Sequence, residues 1–197
     1  MDGDALVREL RRQVRDDRVL AAIAAVPRDR FVPPDLRDRA WENAALPIGG
    51  GQTISQPLVV ARMCEVLALR GDETVLDVGT GSGYHAAVLA RLARRVVSIE
   101  RIPALAERAR KVLGEAVEVV VGDGALGYPA AAPFDAINVA AVSAGGVPRA
   151  LEAQLADGGR LVLPLADGEE RLTLITRQGD HLHRAALEAV RFVPLVR

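Results

Sequence analysis

The sequence has a single cysteine and no long apolar run, and each shortage excludes a class of protein. Cys64 alone cannot form an internal disulfide or a cysteine metal cluster, and its apolar helical surroundings favour a buried, inert thiol. No uninterrupted apolar run approaches the ~20 residues of a membrane-spanning helix. Residues 1–10 lack the apolar segment of a signal peptide. We therefore expect a cytoplasmic protein with no membrane partner.

Net charge and histidine are also scarce. The formal net charge of −1 gives no long-range attraction to nucleic acid, so no nucleic-acid partner is expected. The three histidines are His85, His181 and His183, and only the last two lie close together in the sequence. That pair lacks the further ligands of a metal site, so we interpret all three as surface histidines and expect no metal.

The composition is that of an ordinary globular protein. The 197 residues are 50% hydrophobic and 26% charged, which is enough to bury a core and argues against disorder. We expect a single domain, acting as a monomer, in which residues 1–57 form a helical segment and an active-site loop. Residues 58–197 would then form the ligand-binding core and the C-terminal strands.

Short β-rich runs alternate with amphipathic helical patterns from residue 74 onward. The runs "TVLDV", "RVVSIE", "VEVVVGD", "FDAINVAA" and "GRLVLPL" predict strands, with helices between most of them and one helix over 147–156. This alternation is typical of a doubly wound, mostly parallel α/β sheet with helices on both faces. Ahead of it we predict one helix over Ala5–Val26 and another from Pro57 to about Leu69. After it, residues 171–196 predict a strand, a Gly-Asp turn and further extended structure.

The first strand of this pattern ends in the glycine-rich loop "LDVGTGSGY". In open α/β sheets a ligand binds beyond the carboxyl ends of the strands, and glycines let the backbone come close to it. The loop lacks the lysine of a P-loop, and its glycines run G-x-G-x-G where the NAD fingerprint has G-x-G-x-x-G. The pattern D-x-G-x-G-x-G resembles the first motif of S-adenosylmethionine-dependent methyltransferases. Its candidate residues for binding S-adenosylmethionine, the methyl donor, are Asp77, Gly79, Gly81, Ser82 and Gly83.

Two further strand ends carry acidic residues in the order that this ligand needs. Glu100 ends the second strand, where a carboxylate can accept hydrogen bonds from both ribose hydroxyls; the alternative is a surface salt bridge to Arg101. Asp123 and Gly124 end the third strand, where the carboxylate can accept from an adenine amino group; the alternative is an ordinary Asp-Gly turn. S-adenosyl-L-methionine is therefore the expected co-substrate.

The stretch "LPIGGGQTISQP", Leu46 to Pro57, is too polar for a core and too ordered in its chemistry for a linker. Together with "VPRDRFVP", the glycine loop, "VVSIER", "VVVGDG", "APFDAI" and "RFVPL", it resembles the protein-L-isoaspartate O-methyltransferase family over most of the chain. "GQTISQP" is the most discriminating part. The resemblance implies a Rossmann-like methyltransferase fold and methyl transfer to the free carboxylate of L-isoaspartyl residues in damaged proteins and peptides.

The resemblance also implies roles for the polar motif. Its candidate donor contacts are Gln52, Thr53 and Ile54. Ser55 would lie beside the reacting carboxylate, which is ionised at neutral pH and needs no general base. Gly49 to Gly51 would give freedom to a loop that closes over donor and peptide. The alternative for Ser55 is a helix cap ahead of Pro57.

Two other functions remain open on these residues. An enzyme of the same fold that methylates an aspartate in a dedicated biosynthetic peptide would carry the same motifs. A non-catalytic adaptor that binds S-adenosylmethionine would tolerate the loss of Ser55, so the presence of this serine counts against it. Transfer to a generic isoaspartyl peptide separates the alternatives.

Overall fold

A computed structural model describes residues 2–195 of the chain and begins with two helices. α1 spans Gly3–Leu10 and α2 spans Asp17–Ala25, so the single helix predicted over Ala5–Val26 is wrong. The break arises because the Asp16 side chain caps α2 and accepts from the first N–H groups of that helix. The backbone N–H groups just before α2 donate to Glu65, which satisfies them outside a helix.

The chain then forms a β-hairpin from the polar stretch for which the sequence predicts an active-site loop. In order, the elements are two 3₁₀ helices at Arg28–Phe31 and Pro34–Arg39, strand β1 at Leu46–Gly49, strand β2 at Gln52–Ile54, and helix α3 at Pro57–Leu67. Gly50 and Gly51 connect the two antiparallel strands with φ values of 62° and 71°. Two consecutive positive φ angles are typical of hairpin turns, and they explain why glycine stands there.

The remaining elements alternate as predicted. They are β3 at Thr74–Val78, α4 at Tyr84–Leu89, β4 at Arg95–Glu100, α5 at Pro103–Leu113, β5 at Glu118–Val121, β6 at Phe134–Val139, α6 at Arg149–Ala153, β7 at Leu155–Asp167, β8 at Glu169–Gln178 and β9 at His181–Ala189. α6 is shorter than the helix predicted over 147–156, because β7 already pairs with β6 from Leu155 onward. The predicted strand, Gly-Asp turn and strand of the tail are confirmed as β8 and β9.

Strands β3 to β9 form one sheet in the order β5-β4-β3-β6-β7-β8-β9. β5, β4, β3, β6 and β7 run parallel, and β8 and β9 are added antiparallel at one edge. The chain runs outward from β3 to β5 and then returns to the other side of β3 with β6. This reversal opens a crevice at the carboxyl ends of β3 and β6. The predicted mostly parallel α/β sheet is confirmed.

The two faces of the sheet bury separate cores, because neighbouring residues of a strand point to opposite faces. Val75 belongs to the core shared with helices α1 to α5, whereas Leu76 packs in the core that contains Leu151 of α6. All five residues of β3 are buried, which holds its carboxyl end in a packed frame. In the described range, no helix combines the length and the hydrophobicity needed to cross a membrane.

Candidate active site

A cavity of about 860 Å³, counting its opening to solvent, lies beyond the carboxyl ends of β3, β4 and β6. Open α/β sheets bind their ligands at this position. Most of the predicted site residues line it: Gln52, Thr53, Ile54, Ser55, Gly79, Gly81, Ser82, Glu100 and Gly124. Three predicted residues, Asp77, Gly83 and Asp123, lie outside this lining.

The glycine loop approaches the cavity with its backbone. The Gly79 N–H donates to the Ile99 carbonyl at 2.9 Å, which ties the start of the loop to β4. Gly81 has a φ of +54°, and a Cβ added there would lie 3.5 Å from Ile48 Cδ1 of the hairpin. A side chain at this position would fill the space between the loop and the hairpin. Glycine therefore leaves room for a ligand close to the main chain.

Glu100 ends β4, is 6% exposed as a residue and lines the cavity. One oxygen accepts from the Gly81 N–H at 2.8 Å, and the other accepts from the Ile102 N–H at 2.9 Å. These partners are backbone groups, and not the guanidinium of Arg101. Because an ionised carboxylate offers about four acceptor positions, capacity remains for the two hydroxyls of a ribose.

The Asp-Gly pair after β5 begins a short 3₁₀ helix, Gly124–Leu126, at the edge of the cavity. The Asp123 carboxylate caps this helix by accepting from the Ala125 N–H at 2.9 Å, which differs from the ordinary Asp-Gly turn considered as the alternative. Gly124 lines the cavity, and a Cβ there would lie 2.4 Å from Val78 Cγ1, which is too close for a larger residue without movement. Contact between Asp123 and an adenine stays a prediction.

Asp77 lies fully buried beneath the glycine loop, at the centre of a hydrogen-bond network. Its carboxylate accepts from Ser98 Oγ and from Asn138 Nδ2, both at 2.7 Å. Ser98 Oγ also lies 2.6 Å from Thr80 Oγ1, which ties the loop to β4 a second time. Burial raises the pKa of Asp77 to about 6, although the hydrogen bonds from Ser98 and Asn138 oppose this shift. Asp77 thus supports the loop from below, and its contact with a donor stays a prediction.

Gly83 lies where α4 meets α5. A Cβ added to it would lie 3.1 Å from Leu113 Cδ1 and 3.4 Å from Ala109 Cβ, both on α5. Glycine therefore permits the close packing of these two helices at the end of the loop. Its contact with a donor also stays a prediction.

His85 is 6% exposed and lines the cavity, so its interpretation as a surface histidine is wrong. It shares the buried face of α4 with Val88 and Leu89, three and four residues on, and this spacing was the signal in the sequence. Its Nδ1 lies 3.2 Å from Asn138 Nδ2, and its Nε2 lies 3.5 Å from Cys64 Sγ. Burial lowers the pKa of His85 to about 3, so the imidazole is neutral near pH 7.

Replacing His85 with glutamine is expected to remove part of the acid sensitivity of folding. Because burial lowers the pKa of His85 from 6.5 to about 3, the unfolded chain binds a proton between those pH values that the folded chain does not. The free energy of unfolding of the native chain, relative to His85→Gln, therefore falls as the pH decreases from 6.5. The slope is up to about 1.4 kcal/mol per pH unit.

Denaturant unfolding at pH 7 and pH 5 measures this difference. The matched control is His183→Gln, at an exposed position of β9, which should keep the native dependence on pH. A stability difference between the native chain and His85→Gln that is the same at both pH values would contradict the burial of a neutral imidazole.

Ser55 lies where the cavity meets a neighbouring surface groove. Ser55 and Thr53 line both the cavity and an adjoining groove, which continues over Val59 of α3 and residues 189–193. Gln56 occupies the N-cap position of α3, so the interpretation of Ser55 as the cap of that helix is not supported. A ligand in the cavity and a second ligand in the groove would therefore meet at this half-buried serine.

The C-terminal segment 193–195 also lines the cavity, and sequence reasoning did not place it there. The Val142 N–H donates to the Val193 carbonyl, and the Leu195 N–H donates to the Val142 carbonyl, each at 2.8 Å. These bonds bring the segment back to the carboxyl end of β6. No local pattern could predict this contact, because its partners are far apart in the sequence.

Residues 2–195 contain no group of three His, Cys, Asp or Glu side chains placed to hold a metal ion. His181 and His183 are exposed on β9, as interpreted from the sequence. Cys64 is buried, as predicted, and burial raises the pKa of its thiol, which favours an unreactive cysteine. The polar side chains that line the cavity include Glu100, His85, Gln52, Arg101 and several hydroxyl groups.

Comparisons with known proteins give a consistent result. The chain matches the family model described as Protein-L-isoaspartate(D-aspartate) O-methyltransferase over residues 1–197. It is 54% identical over 187 residues to a protein-L-isoaspartate O-methyltransferase of Aeromonas hydrophila subsp. hydrophila, which covers 93% of this chain and 91% of that one.

Two solved structures share the fold. One, titled protein-L-isoaspartate O-methyltransferase, has a TM-score of 0.88 at 28% identity; the match covers 98% of this chain but only 65% of that longer chain. The other is a putative protein-L-isoaspartate O-methyltransferase from Plasmodium falciparum in complex with S-adenosyl-L-homocysteine. It has a TM-score of 0.85 at 24% identity, over 100% of this chain and 99% of that one.

Proposed function

Because this chain belongs to the protein-L-isoaspartate(D-aspartate) O-methyltransferase family, we propose that its active site has a donor side in the cavity and an acceptor side in the groove. The chain transfers a methyl group from S-adenosylmethionine to the free carboxylate of an L-isoaspartyl residue. This methylation starts the repair of the damaged protein. The assignment of a donor side and an acceptor side rests on the observation that Ser55 lines both the cavity and the groove.

The residues of the donor side fit S-adenosylmethionine. Glu100 is buried at the cavity wall and accepts only, which suits a ribose diol. Ile99 and Ile102 add apolar surface for an adenine, and Gly81 keeps the main chain within reach of the ligand. When bound there, S-adenosylmethionine supplies a methyl group on a positively charged sulfur.

On the acceptor side, Ser55 would position a carboxylate. Such a carboxylate has a reference pKa near ~4, so it is ionised at neutral pH and no residue has to remove a proton. Attack by an anion on a cationic donor neutralises both charges, so a site that excludes water favours the transition state. The Ser55 hydroxyl would donate to one carboxylate oxygen and leave the other free to attack in line.

The β1–β2 hairpin would cover the donor and exclude water. Arg108 of α5 donates to the Ile48 carbonyl at 2.9 Å, which attaches β1 to the body of the domain. At the turn, a Cβ on Gly50 would lie 3.6 Å from Ile102 Cδ1, so the hairpin tip reaches the far wall of the cavity. The hairpin therefore joins the acceptor serine to the cover of the donor site.

The substrates would be isoaspartyl-containing proteins and peptides, with the groove beside Ser55 receiving the main chain on either side of the lesion. We further propose that the enzyme acts as a monomer, without a nucleic-acid or membrane partner. The formal net charge of −1 supports the absence of a nucleic-acid partner. A cytoplasmic location stays a prediction from the sequence.

Methyl transfer to paired peptides tests the function. The two peptides share one sequence and differ only in that a single residue is L-isoaspartyl in one and L-aspartyl in the other. With radiolabelled S-adenosylmethionine, we expect base-labile methyl ester on the isoaspartyl peptide and none above background on the aspartyl peptide. Equal labelling of both peptides, or labelling of neither, would contradict the proposed acceptor.

A further inference from the structure

Arg28 is the largest of the fully buried side chains, and sequence reasoning assigned it no role. It begins the 3₁₀ helix Arg28–Phe31, ahead of the hairpin, and is 0% exposed. Burying a guanidinium costs free energy unless its N–H groups are satisfied. Within residues 2–195, Arg28 forms no ion pair with a carboxylate and its Nε has no hydrogen-bond partner, so the hydrogen bonds of Nη1 and Nη2 are the compensation.

Those hydrogen bonds join two segments of the main chain. Arg28 Nη1 donates to the Ala40 carbonyl at 2.5 Å, and Nη2 donates to the Ala44 carbonyl at 3.1 Å. Nη2 also donates to the carbonyl of Ser55 at 2.9 Å. The planar fork of the guanidinium thus holds the acceptor serine against the segment that leads into β1.

The same guanidinium touches the donor side. Arg28 Cζ lies 5.4 Å from the centroid of the Tyr84 ring, within the range of a cation–π interaction. Tyr84 is the first residue of α4, directly after the glycine loop, and it lines the cavity. Phe31 packs against the same ring edge to face, with centroids 5.7 Å apart. Arg28 therefore contacts the main chain of the acceptor serine and the residue that ends the donor loop.

We infer that Arg28 is a positioning residue that sets Ser55 against the glycine loop, so that the acceptor oxygen and the donor methyl meet in line. A displacement of about 1 Å at a reacting centre can cost about 100-fold in rate. A residue that contacts both the main chain of Ser55 and Tyr84 at the end of the glycine loop can hold this alignment. The inference rests on the proposed function, since it assigns Ser55 to the acceptor.

A purely structural role for Arg28 makes a different prediction. Replacing Arg28 removes the donor to the Ala40, Ala44 and Ser55 carbonyls, which lowers stability whichever role Arg28 has, so a loss of stability alone does not separate the two roles. If Arg28 only held the fold, variants would lose folded protein and thermal stability, and the folded fraction would keep its turnover. If Arg28 positions Ser55, turnover falls in protein that is folded and saturated with both substrates.

Arg28→Lys is the first test, because lysine keeps the charge but not the fork. One ammonium cannot reach the Ala40, Ala44 and Ser55 carbonyls in the same geometry. We expect kcat on an isoaspartyl peptide to fall by about 30-fold or more. The dissociation constant for S-adenosylhomocysteine, measured by calorimetry, should stay within about threefold, because Arg28 lies outside the cavity lining.

The matched control is Phe134→Leu, a core change at the start of β6, away from the site. It should lower the melting temperature and keep kcat within about twofold, which separates lost stability from lost alignment. A kcat for Arg28→Lys within about twofold of the native value, or a loss that Phe134→Leu reproduces, would overturn the inference. If the native chain itself fails to methylate the isoaspartyl peptide, the proposed function fails instead.

Chemical rescue gives a second, independent readout. Arg28→Ala leaves a space of the size of the side chain, and millimolar methylguanidinium should restore part of kcat, whereas methylammonium at the same concentration should not. Equal effects of the two cations would contradict a role for the planar fork. If Arg28→Ala does not fold, Arg28→Lys decides the question.

Discussion

Replacing Ser55 with alanine is expected to lower kcat on an isoaspartyl peptide by about 100-fold, while the affinity for the donor stays within about twofold. A hydroxyl placed beside developing or reacting charge contributes on this scale when it is removed. Ser55 sits where the cavity and the groove join, so its loss affects the alignment of the acceptor and not the ribose or adenine contacts. Steady-state kinetics at saturating donor, with calorimetric binding of S-adenosylhomocysteine, measures both quantities.

Ser143→Ala is the control for this change. Ser143 donates its hydroxyl to the Gly146 carbonyl and does not line the cavity, so the variant should keep kcat within about twofold. Equal losses of kcat and donor affinity in Ser55→Ala would place the serine on the donor side. No loss of either would remove it from the active site.

Replacing Glu100 with glutamine is expected to weaken binding of S-adenosylhomocysteine by about 30-fold or more. Both carboxylate oxygens already accept backbone N–H groups, from Gly81 and from Ile102. Glutamine has one oxygen and one NH₂ group. The backbone N–H of either Gly81 or Ile102 would therefore face the NH₂ group, which donates hydrogen bonds and cannot accept one. The ribose also loses a charged acceptor, and a hydrogen bond to a charged group contributes about 1.5–3 kcal/mol. The substitution is therefore expected to disturb both the geometry of the glycine loop and the contact with the ribose.

Calorimetry with S-adenosylhomocysteine and a thermal scan without ligand measure this prediction. Glu118→Gln, at an exposed position of the neighbouring strand β5, removes the same charge away from the cavity and should leave the affinity unchanged. An affinity for Glu100→Gln within about threefold of the native value would contradict the assignment of Glu100 to the ribose. A similar loss of affinity in Glu100→Gln and Glu118→Gln would show that the removed negative charge, and not a contact with the ribose, causes the effect.

The sheet could be predicted from the sequence because its signals are local. The buried run at β3, the glycine loop and the alternation of strands with helices each occupy a few neighbouring residues. The N-terminal helices were joined wrongly, because the break at Asp16 depends on Glu65, a distant residue that receives the freed N–H groups. The sequence predicts a loop for the polar stretch and not the observed hairpin, because the antiparallel pairing is only three residues long on β2.

The role of a site residue could be predicted only where that residue belongs to a recognisable local sequence motif. Glu100 could be predicted because it ends a recognisable strand, whereas the role of Ser55 followed from the resemblance of "GQTISQP" to the family. Arg28 was missed because arginines between apolar residues usually form a solvated surface. Its burial arises from carbonyl groups of two segments, Ala40 and Ala44 in one and Ser55 in the other, that the fold brings together. The contribution of segment 193–195 depends likewise on long-range pairing with Val142.

The most direct test of the account is a crystal structure with S-adenosylhomocysteine and an isoaspartyl peptide. The account predicts the nucleoside in the cavity with its ribose on Glu100 and the peptide in the groove. It also predicts one carboxylate oxygen within about 3.2 Å of Ser55 Oγ and the other facing the sulfur. A structure in which Ser55 points away from the sulfur, with packed side chains between it and both ligands, would contradict it.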